Sequence, residues 1–194
     1  MPSLREVLHA EKVIRRYLNP TPLVWSRRLS REIGAEVRVK LENLNPTNSF
    51  KVRGGIYLMS VLAESGVKGV VTASMGNHAQ SIAYAGSLFG VPVKVVMPGW
   101  VSRVKVEAVE ELGAEVILKG DYYDQSAEYA EALARELGYR YVPRSRRGSS
   151  TSAQPPCTWR WSGICRRSRW SSIPSAAVQV PSVRSRSTSG CSRT

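Results

Sequence analysis

Lys51 has the surroundings that carbonyl chemistry needs. It lies in the segment Asn48-Ser49-Phe50-Lys51-Val52-Arg53-Gly54-Gly55, after an apolar alternating run and before a helical pattern. Asn48 or Ser49 can cap that helix, which places Lys51 in or just before its first turn. The positive end of the helix dipole, partial burial and the nearby Arg53 should all lower the pKa of the lysine. We therefore expect a neutral amine that can form a Schiff base with an aldehyde; the alternative is a solvated lysine beside a loop.

The second candidate site is a turn between an apolar strand and a helical pattern. The run Val70-Val71-Thr72-Ala73 predicts the strand, and residues 74–78, Ser-Met-Gly-Asn-His, predict the turn that opens the helix. Backbone N–H groups at such a helix start, with the Ser74 and Asn77 side chains, form a ready site for a carboxylate or phosphate. The alternative is an ordinary strand-to-helix turn in which Asn77 is the cap.

Residues 41–54 and 72–80 contain the motifs Ser-Phe-Lys-Val-Arg-Gly and Ser-Met-Gly-Asn-His. In sequence and spacing these motifs resemble the fold-type II (tryptophan-synthase-β-like) pyridoxal-phosphate enzymes, most closely the threonine (serine) dehydratases and serine racemases. The resemblance covers residues 5–143. It implies an α/β fold of parallel-sheet βα units with an incomplete large domain, and pyridoxal 5'-phosphate as the cofactor.

The resemblance also implies roles for individual residues. Lys51 would hold the cofactor through a Schiff base and, once freed, remove the Cα proton of the substrate. Asn77 would hydrogen-bond the cofactor's ring hydroxyl, and Phe50 is expected beside the ring, with a plain core position as the alternative. The substrate carboxylate would lie on the turn formed by Ser74, Met75, Gly76, Asn77 and His78. Catalysis by His78 as a general base is less favoured, because a histidine at a helix start is more often a cap or a packing residue.

By this resemblance the intact protein is a lyase that converts L-threonine or L-serine into a 2-oxo acid and ammonia. Serine racemase, or another fold-type II enzyme, is the alternative. The family implies a small amino-acid substrate and a homo-oligomer, and no metal site is expected. The glycine-rich loop for the cofactor phosphate, and the polar group that meets the pyridine nitrogen, would follow residue 143, where neither has a recognisable counterpart.

Strands and helices alternate regularly after Gly66, which predicts parallel strands joined by right-handed helical crossovers. The predicted strands cover residues 67–72, 92–97, 114–118 and 139–142, and the helices near the end cover residues 102–112 and 122–137. Before them we predict helices over residues 4–18 and 23–33 and a strand over residues 37–41. The expected domains are residues 1–53 (part of the large domain), residues 54–143 (a small α/β domain) and residues 144–194.

The composition, 42% hydrophobic and 22% charged, is that of a soluble globular protein. No apolar run approaches the roughly 20 residues of a membrane span, and the N-terminus has no signal-peptide pattern. We therefore expect a cytoplasmic protein. The net charge of +13 is unevenly distributed: residues 1–143 carry only +3, and ten arginines after them supply the rest. All three cysteines, Cys157, Cys165 and Cys191, also lie there, at spacings that fit no zinc pattern.

Residues 144–194 contain no Leu, Lys, Asp, Glu, Phe, Tyr or Met, and nearly half of them are Ser or Arg. Such a composition favours a disordered basic tail, although Trp159, Trp161 and Trp170 are unusual in one. Our preferred interpretation is a shift of reading frame near Arg144, because GC-rich codons read out of phase tend to give Arg, Ser, Pro, Ala, Cys and Trp. Nucleic-acid binding by the arginines is the alternative from another functional class, and is less favoured since no fold presents them.

Overall fold

The computed structural model describes residues 3–144, 168–173 and 176–181. In chain order the helices are α1 (Leu4–Ile14), α2 (Arg27–Ile33), α3 (Lys51–Glu64), α4 (Asn77–Phe89), α5 (Arg103–Glu110) and α6 (Tyr123–Leu137). The strands are β1 (Leu23–Trp25), β2 (Arg38–Lys40), β3 (Val70–Ala73), β4 (Val93–Met97), β5 (Glu115–Leu118), β6 (Arg140–Tyr141), β7 (Ser168–Ile173) and β8 (Ala176–Pro181). These elements form two compact units, which are described separately.

The first unit contains a four-stranded parallel sheet in the order β5-β4-β3-β6. Helices α4, α5 and α6 connect successive strands of this sheet, so the predicted βα units are confirmed. The strands β3 and β4 are buried almost throughout and consist mainly of valine, as expected for a parallel sheet covered on both faces. Gly90 and Gly138 end α4 and α6 in the left-handed conformation, because a residue without Cβ adopts it at no steric cost.

The core of this unit lies between the sheet and the helices α3 and α4. Its largest fully buried side chains include Val52, Ile56 and Met59 of α3, Ile82 of α4 and Met97 of β4. Burying such side chains contributes roughly 1.5–3 kcal/mol each relative to exposing them. The packing of α3 and α4 on β3 and β4 therefore fixes the two helix starts that contain the candidate site residues.

The second unit is an antiparallel sheet in the order β1-β2-β8-β7, with α2 between its first two strands in sequence. The predicted helix over residues 23–33 is wrong in its first part, since Leu23–Trp25 is strand β1 and pairs with Arg38–Lys40. Leu, Val and Trp suit a pleated surface, and the pairing with β2 determines their conformation. Ser26 then caps α2 through a hydrogen bond from the Leu29 N–H. The helix predicted for residues 4–18 is also shorter, because α1 ends at Ile14.

Strand β8 pairs antiparallel with both β2 and β7. These twelve residues of β7 and β8 belong to the segment expected to lack regular structure, so the structure differs from that expectation there. Trp, Ile and Val in the two strands are residues that favour sheets. Residues 1–2, 145–167, 174–175 and 182–194 lie outside the described residues, and the division into domains at residues 53 and 143 stays a prediction.

Within the described part of the chain, no helix is both long enough and apolar enough to cross a membrane.

Candidate functional site

The turn after β3 leads directly into α4 and leaves the start of that helix open. The Ser74 N–H donates to the carbonyl of Val96 at the carboxyl end of β4, and the Ser74 hydroxyl accepts from the Gly76 N–H at 3.4 Å. Gly76 is the N-cap residue, and no side chain caps the helix. Asn77 is the first helical residue and is exposed, so the alternative of an asparagine cap is not what the structure has. The first N–H groups of α4 therefore keep their capacity to bind an anion.

Lys51 is the first residue of α3. The predicted cap by Asn48 or Ser49 is corrected by one or two residues, because Phe50 is the N-cap and no side chain caps α3. Asn48 instead has a left-handed backbone (φ 50°) in a turn that its N–H closes on the carbonyl of Asn45 at 2.8 Å. The Ser49 hydroxyl does accept from the Lys51 N–H at 3.3 Å, from the position before the cap.

A close contact between α3 and α4 joins the two candidate segments. The Ser81 hydroxyl of α4 donates to the carbonyl oxygen of Lys51 at 2.7 Å. One turn further along α3, a Cβ atom on Gly55 would lie 2.3 Å from Ser81 Oγ and 2.6 Å from the Ser81 carbonyl oxygen. A glycine at position 55 therefore permits the helix spacing at which the Lys51 backbone is bound to α4.

His78 lies in the first turn of α4 and is electrostatically coupled to Lys51. The pKa of its imidazole is lowered to about 4, mainly by burial and in addition by the positive charges of Lys51 and Arg144, while a hydrogen bond to the Val142 backbone acts in the opposite direction. An interaction of this kind requires the Lys51 amine to be near the turn. The backbone contact with Ser81 and this charge interaction place the first residue of α3 beside the first turns of α4, and the roles of Lys51 and residues 74–78 stay predictions.

The remaining sequence prediction at this site concerns Phe50. Its side chain is 43% exposed at the start of α3, so the alternative of a plain core position does not hold. Ser81 was not predicted as a site residue. Ser81 lies on the buried face of α4, a position that the helical spacing of its neighbours indicates. Its hydrogen-bond partner on α3, the Lys51 carbonyl, could be found only from the packed structure. Within the described residues, no group of three or more His, Cys, Asp or Glu side chains could hold a metal ion.

The sequence profile of the family described as "Pyridoxal-phosphate dependent enzyme" matches residues 14–154. The chain belongs to this family. It is 38% identical over 143 residues to the L-threonine ammonia-lyase of Thermotoga maritima, covering 73% of this chain and 36% of that enzyme. It is 35% identical to the serine racemase of Schizosaccharomyces pombe, covering 74% of this chain and 45% of that protein.

Solved structures agree with this membership. The processed form of threonine deaminase isoform 2 from Solanum lycopersicum superposes with a TM-score of 0.65 and 33% sequence identity, over 73% of this chain and 43% of that one. The α/β fold with its parallel sheet is therefore that of the fold-type II pyridoxal-phosphate enzymes, as predicted, and the large domain is incomplete. The chain spans less than half the length of each of these relatives.

The described part of the site fits one end of pyridoxal phosphate. Lys51 supplies the amine, and the open helix start beside it supplies N–H donors. A Cβ atom on Gly76 would have no heavy atom within 4 Å, so the turn leaves open space for a ligand. The His78 Nε2 atom is buried and has no hydrogen-bond partner among the described residues, which is unusual unless a ligand or water occupies the site. The residues present therefore fit the reactive ring and the substrate carboxylate.

Proposed function

We propose that the intact protein is a pyridoxal-phosphate-dependent ammonia-lyase that converts L-threonine or L-serine into a 2-oxo acid and ammonia. The observation that supports this proposal is the position of Lys51 beside the open start of α4, in a chain 38% identical to an L-threonine ammonia-lyase. The cofactor would supply an electron sink for the electrons left at the substrate Cα when its proton is removed. Its chemistry needs the protein for binding, orientation and proton transfer.

Each candidate residue then has a distinct task. The Lys51 amine would bind the cofactor aldehyde covalently and, when displaced by the substrate amino group, take the proton from Cα. The N–H groups of the turn formed by Ser74, Met75, Gly76, Asn77 and His78 would bind the substrate carboxylate and so fix the direction of the Cα–H bond. The Asn77 side chain would hydrogen-bond the cofactor's ring hydroxyl. Phe50 would cover the ring with its exposed face.

Serine racemization is the second candidate, because the serine racemase of S. pombe is 35% identical to this chain. Both reactions begin with proton removal at Cα, and only elimination then expels the β-hydroxyl. We further propose a cytoplasmic homo-oligomer whose 2-oxo acid product can serve isoleucine biosynthesis. The non-enzymatic alternative is a basic segment after Arg144 that binds nucleic acid.

The activity proposal concerns the protein with its family sequence restored after Arg144. We propose that the segment 144–194 results from a shifted reading frame and that the chain as given has little or no activity. The family's glycine-rich phosphate loop would lie in this segment, and residues 144–194 contain only the isolated glycines Gly148, Gly163 and Gly190.

The cofactor proposal can be tested on the chain as it is. Pyridoxal phosphate is added, the absorbance near the visible edge is recorded, and the adduct is reduced with borohydride and located by peptide mass spectrometry. We expect a band and a reduced adduct on Lys51, both lost in Lys51→Ala. The exposed Lys105, changed to alanine, is the matched control and should leave both unchanged. A band that survives Lys51→Ala would contradict the proposal.

A further inference from the structure

Both backbone polar groups of Lys51 are hydrogen-bonded to serine hydroxyls. The Lys51 N–H donates to the Ser49 hydroxyl at 3.3 Å, and the Lys51 carbonyl accepts from the Ser81 hydroxyl at 2.7 Å. Ser49 is 4% exposed and Ser81 is 1% exposed, so solvent competes little for either bond. The backbone of the lysine is therefore held from two sides, and the shorter of the two bonds comes from a different helix.

The first turn of α3 needs such support. The N-cap residue Phe50 gives the helix no side-chain cap, and uncapped helix ends tend to fray. Gly54 and Gly55 follow within the first five residues, and each weakens the helix because glycine loses the most conformational freedom on folding. Lys51 is the first residue of this helix, so its amine would move with a fraying turn unless a group outside the helix held it.

The Ser81 hydroxyl supplies this support. In an α-helix that begins at Lys51, the Lys51 carbonyl also accepts from the N–H four residues further on, that of Gly55. The hydroxyl thus bonds the same oxygen atom that closes the first helical turn. A Cβ atom on Gly55 would lie only 2.3 Å from Ser81 Oγ. The glycine that weakens the turn is therefore also the residue that leaves room for the hydroxyl that holds it.

Ser81 has a fixed place relative to the open start of α4. It lies on the buried face of that helix, four residues after Asn77, and about 6 Å along the helix axis separates the two residues. A hydrogen bond from Ser81 to the Lys51 backbone therefore fixes where the lysine side chain begins relative to the turn proposed to bind the substrate carboxylate. Proton transfer between groups in a site depends on such positioning, since small displacements of a reacting group cost much of the rate.

We propose that Ser81 is a positioning residue whose hydroxyl holds the first turn of α3, and with it the Lys51 amine, in place beside the open start of α4. The Ser49 hydroxyl supports the same residue from its N–H side. This inference rests on the proposed function and adds to it the residue that fixes the Schiff-base lysine. By this account Ser81 acts through the Lys51 backbone and not on the reacting atoms.

The first test measures amide hydrogen exchange by NMR on the chain without cofactor. Ser81→Ala removes the hydroxyl. Its matched control is Ser60→Ala, because Ser60 is a buried serine of α3 whose hydroxyl donates to a carbonyl beyond the first turn, that of Tyr57, at 2.8 Å. The Gly55 amide reports opening of the first turn, and the amide of the buried Met59 serves as the internal reference for opening of the whole helix.

Relative to the Met59 amide, the Gly55 amide should exchange about two- to tenfold faster in Ser81→Ala than in the parent chain, because one hydrogen bond is lost. In Ser60→Ala the relative rate should stay unchanged. An unchanged rate in Ser81→Ala, or equal acceleration in both variants, would overturn the inference.

The second test asks whether the held turn is the conformation that the cofactor uses. A ligand stabilises the conformation to which it binds. Pyridoxal phosphate should therefore slow exchange of the Gly55 amide at least about twofold in the parent chain, and it should not do so in Lys51→Ala. An unchanged Gly55 rate in a parent chain that shows the Lys51-dependent absorbance band would overturn the inference. A parent chain without the band would contradict the proposed function alone, and the exchange rates without cofactor would still decide whether Ser81 holds the turn.

Discussion

His78 couples the stability of the fold to pH. Burial lowers the pKa of its imidazole from 6.5 to about 4. Between these values the unfolded chain takes up a proton that the folded chain does not, so the free energy of unfolding should fall as pH falls from 6.5 to 4 and be unaffected by His78 above that window. The shift corresponds to a loss of about 3 kcal/mol. Urea unfolding measured at several pH values tests this expectation.

The carboxylates of the chain titrate in part of the same range, so the informative quantity is the difference between variants. In His78→Asn the loss of unfolding free energy below pH 6.5 should be smaller than in the parent chain. His9→Gln, which changes an exposed histidine on α1, should follow the parent chain. Parallel curves for all three proteins would mean that His78 takes up its proton in the folded state over the same pH range as in the unfolded chain. This outcome would refute the prediction.

How far single residues could be predicted from the sequence depends on whether their partners are local. Lys51 and the turn 74–78 stand out because each combines reactive residue types with a predicted helix start. The unused nitrogen of His78 could not be predicted, since its state depends on a carbonyl of Val142 that folding brings to it. The cap of α3 was misplaced by one or two residues, because the left-handed backbone of Asn48 is set by the turn and not by residue type.

The packing of α3 on α4 leads to a prediction about Gly55. A methyl group there would lie 2.3 Å from Ser81 Oγ and 2.6 Å from the Ser81 carbonyl oxygen, and backbone cannot rotate away as a side chain can. We expect Gly55→Ala to separate the helices and to lower the free energy of unfolding by about 1–3 kcal/mol or more. It should also weaken the Lys51-dependent absorbance band, because the Lys51 carbonyl is bound to Ser81 across this contact. Chemical denaturation and absorbance measure the two effects.

Gly76→Ala is the matched control for the effect of Gly55→Ala on the free energy of unfolding. Its Cβ would meet no heavy atom within 4 Å, and its backbone is extended (φ −155°), so its unfolding free energy should change little. Ser81→Ala removes only the hydrogen bond to Lys51 and should cost about 1 kcal/mol, less than Gly55→Ala. If Gly55→Ala were as stable as Gly76→Ala, the close helix contact would not exist as described.

The elements of the regular strand–helix alternation were predicted correctly, and the short strand β1 was not. The strands β3 to β6 and the helices between them follow from alternating apolar runs and from glycines such as Gly90 and Gly138. The three residues of β1 contain too few positions to distinguish a strand from a helix, and the pairing of Leu23–Trp25 with Arg38–Lys40 decides between them. Ser26 caps the start of α2. From the sequence alone, the stabilisation that this cap gives to a helix start cannot be compared with the stabilisation that strand pairing gives to residues 23–25.

At the scale of the whole molecule, the family resemblance and the change in composition end close together. The family profile matches residues 14–154, and all acidic residues precede Arg144. The chain covers 36% of the length of the Thermotoga maritima enzyme, so most of a complete family member has no counterpart here. The phosphate loop and the polar partner of the pyridine nitrogen that the resemblance implies would lie after residue 143, which is why we propose full activity only for a restored sequence.

Restoring the reading frame should therefore restore catalysis. If the frame is shifted, sequencing the gene across the codons for residues 141–150 will show a displaced frame that continues with a buried strand and a glycine-rich loop. The restored protein should form 2-oxobutanoate from L-threonine at least about a hundredfold faster than the chain as given, since loss of cofactor positioning has effects of this size. D-serine formed faster than 2-oxo acid would favour the racemase alternative. An intact, expressed frame that encodes residues 144–194, together with DNA binding that weakens steeply with salt, would instead support the basic segment as a nucleic-acid-binding element and contradict the frame shift.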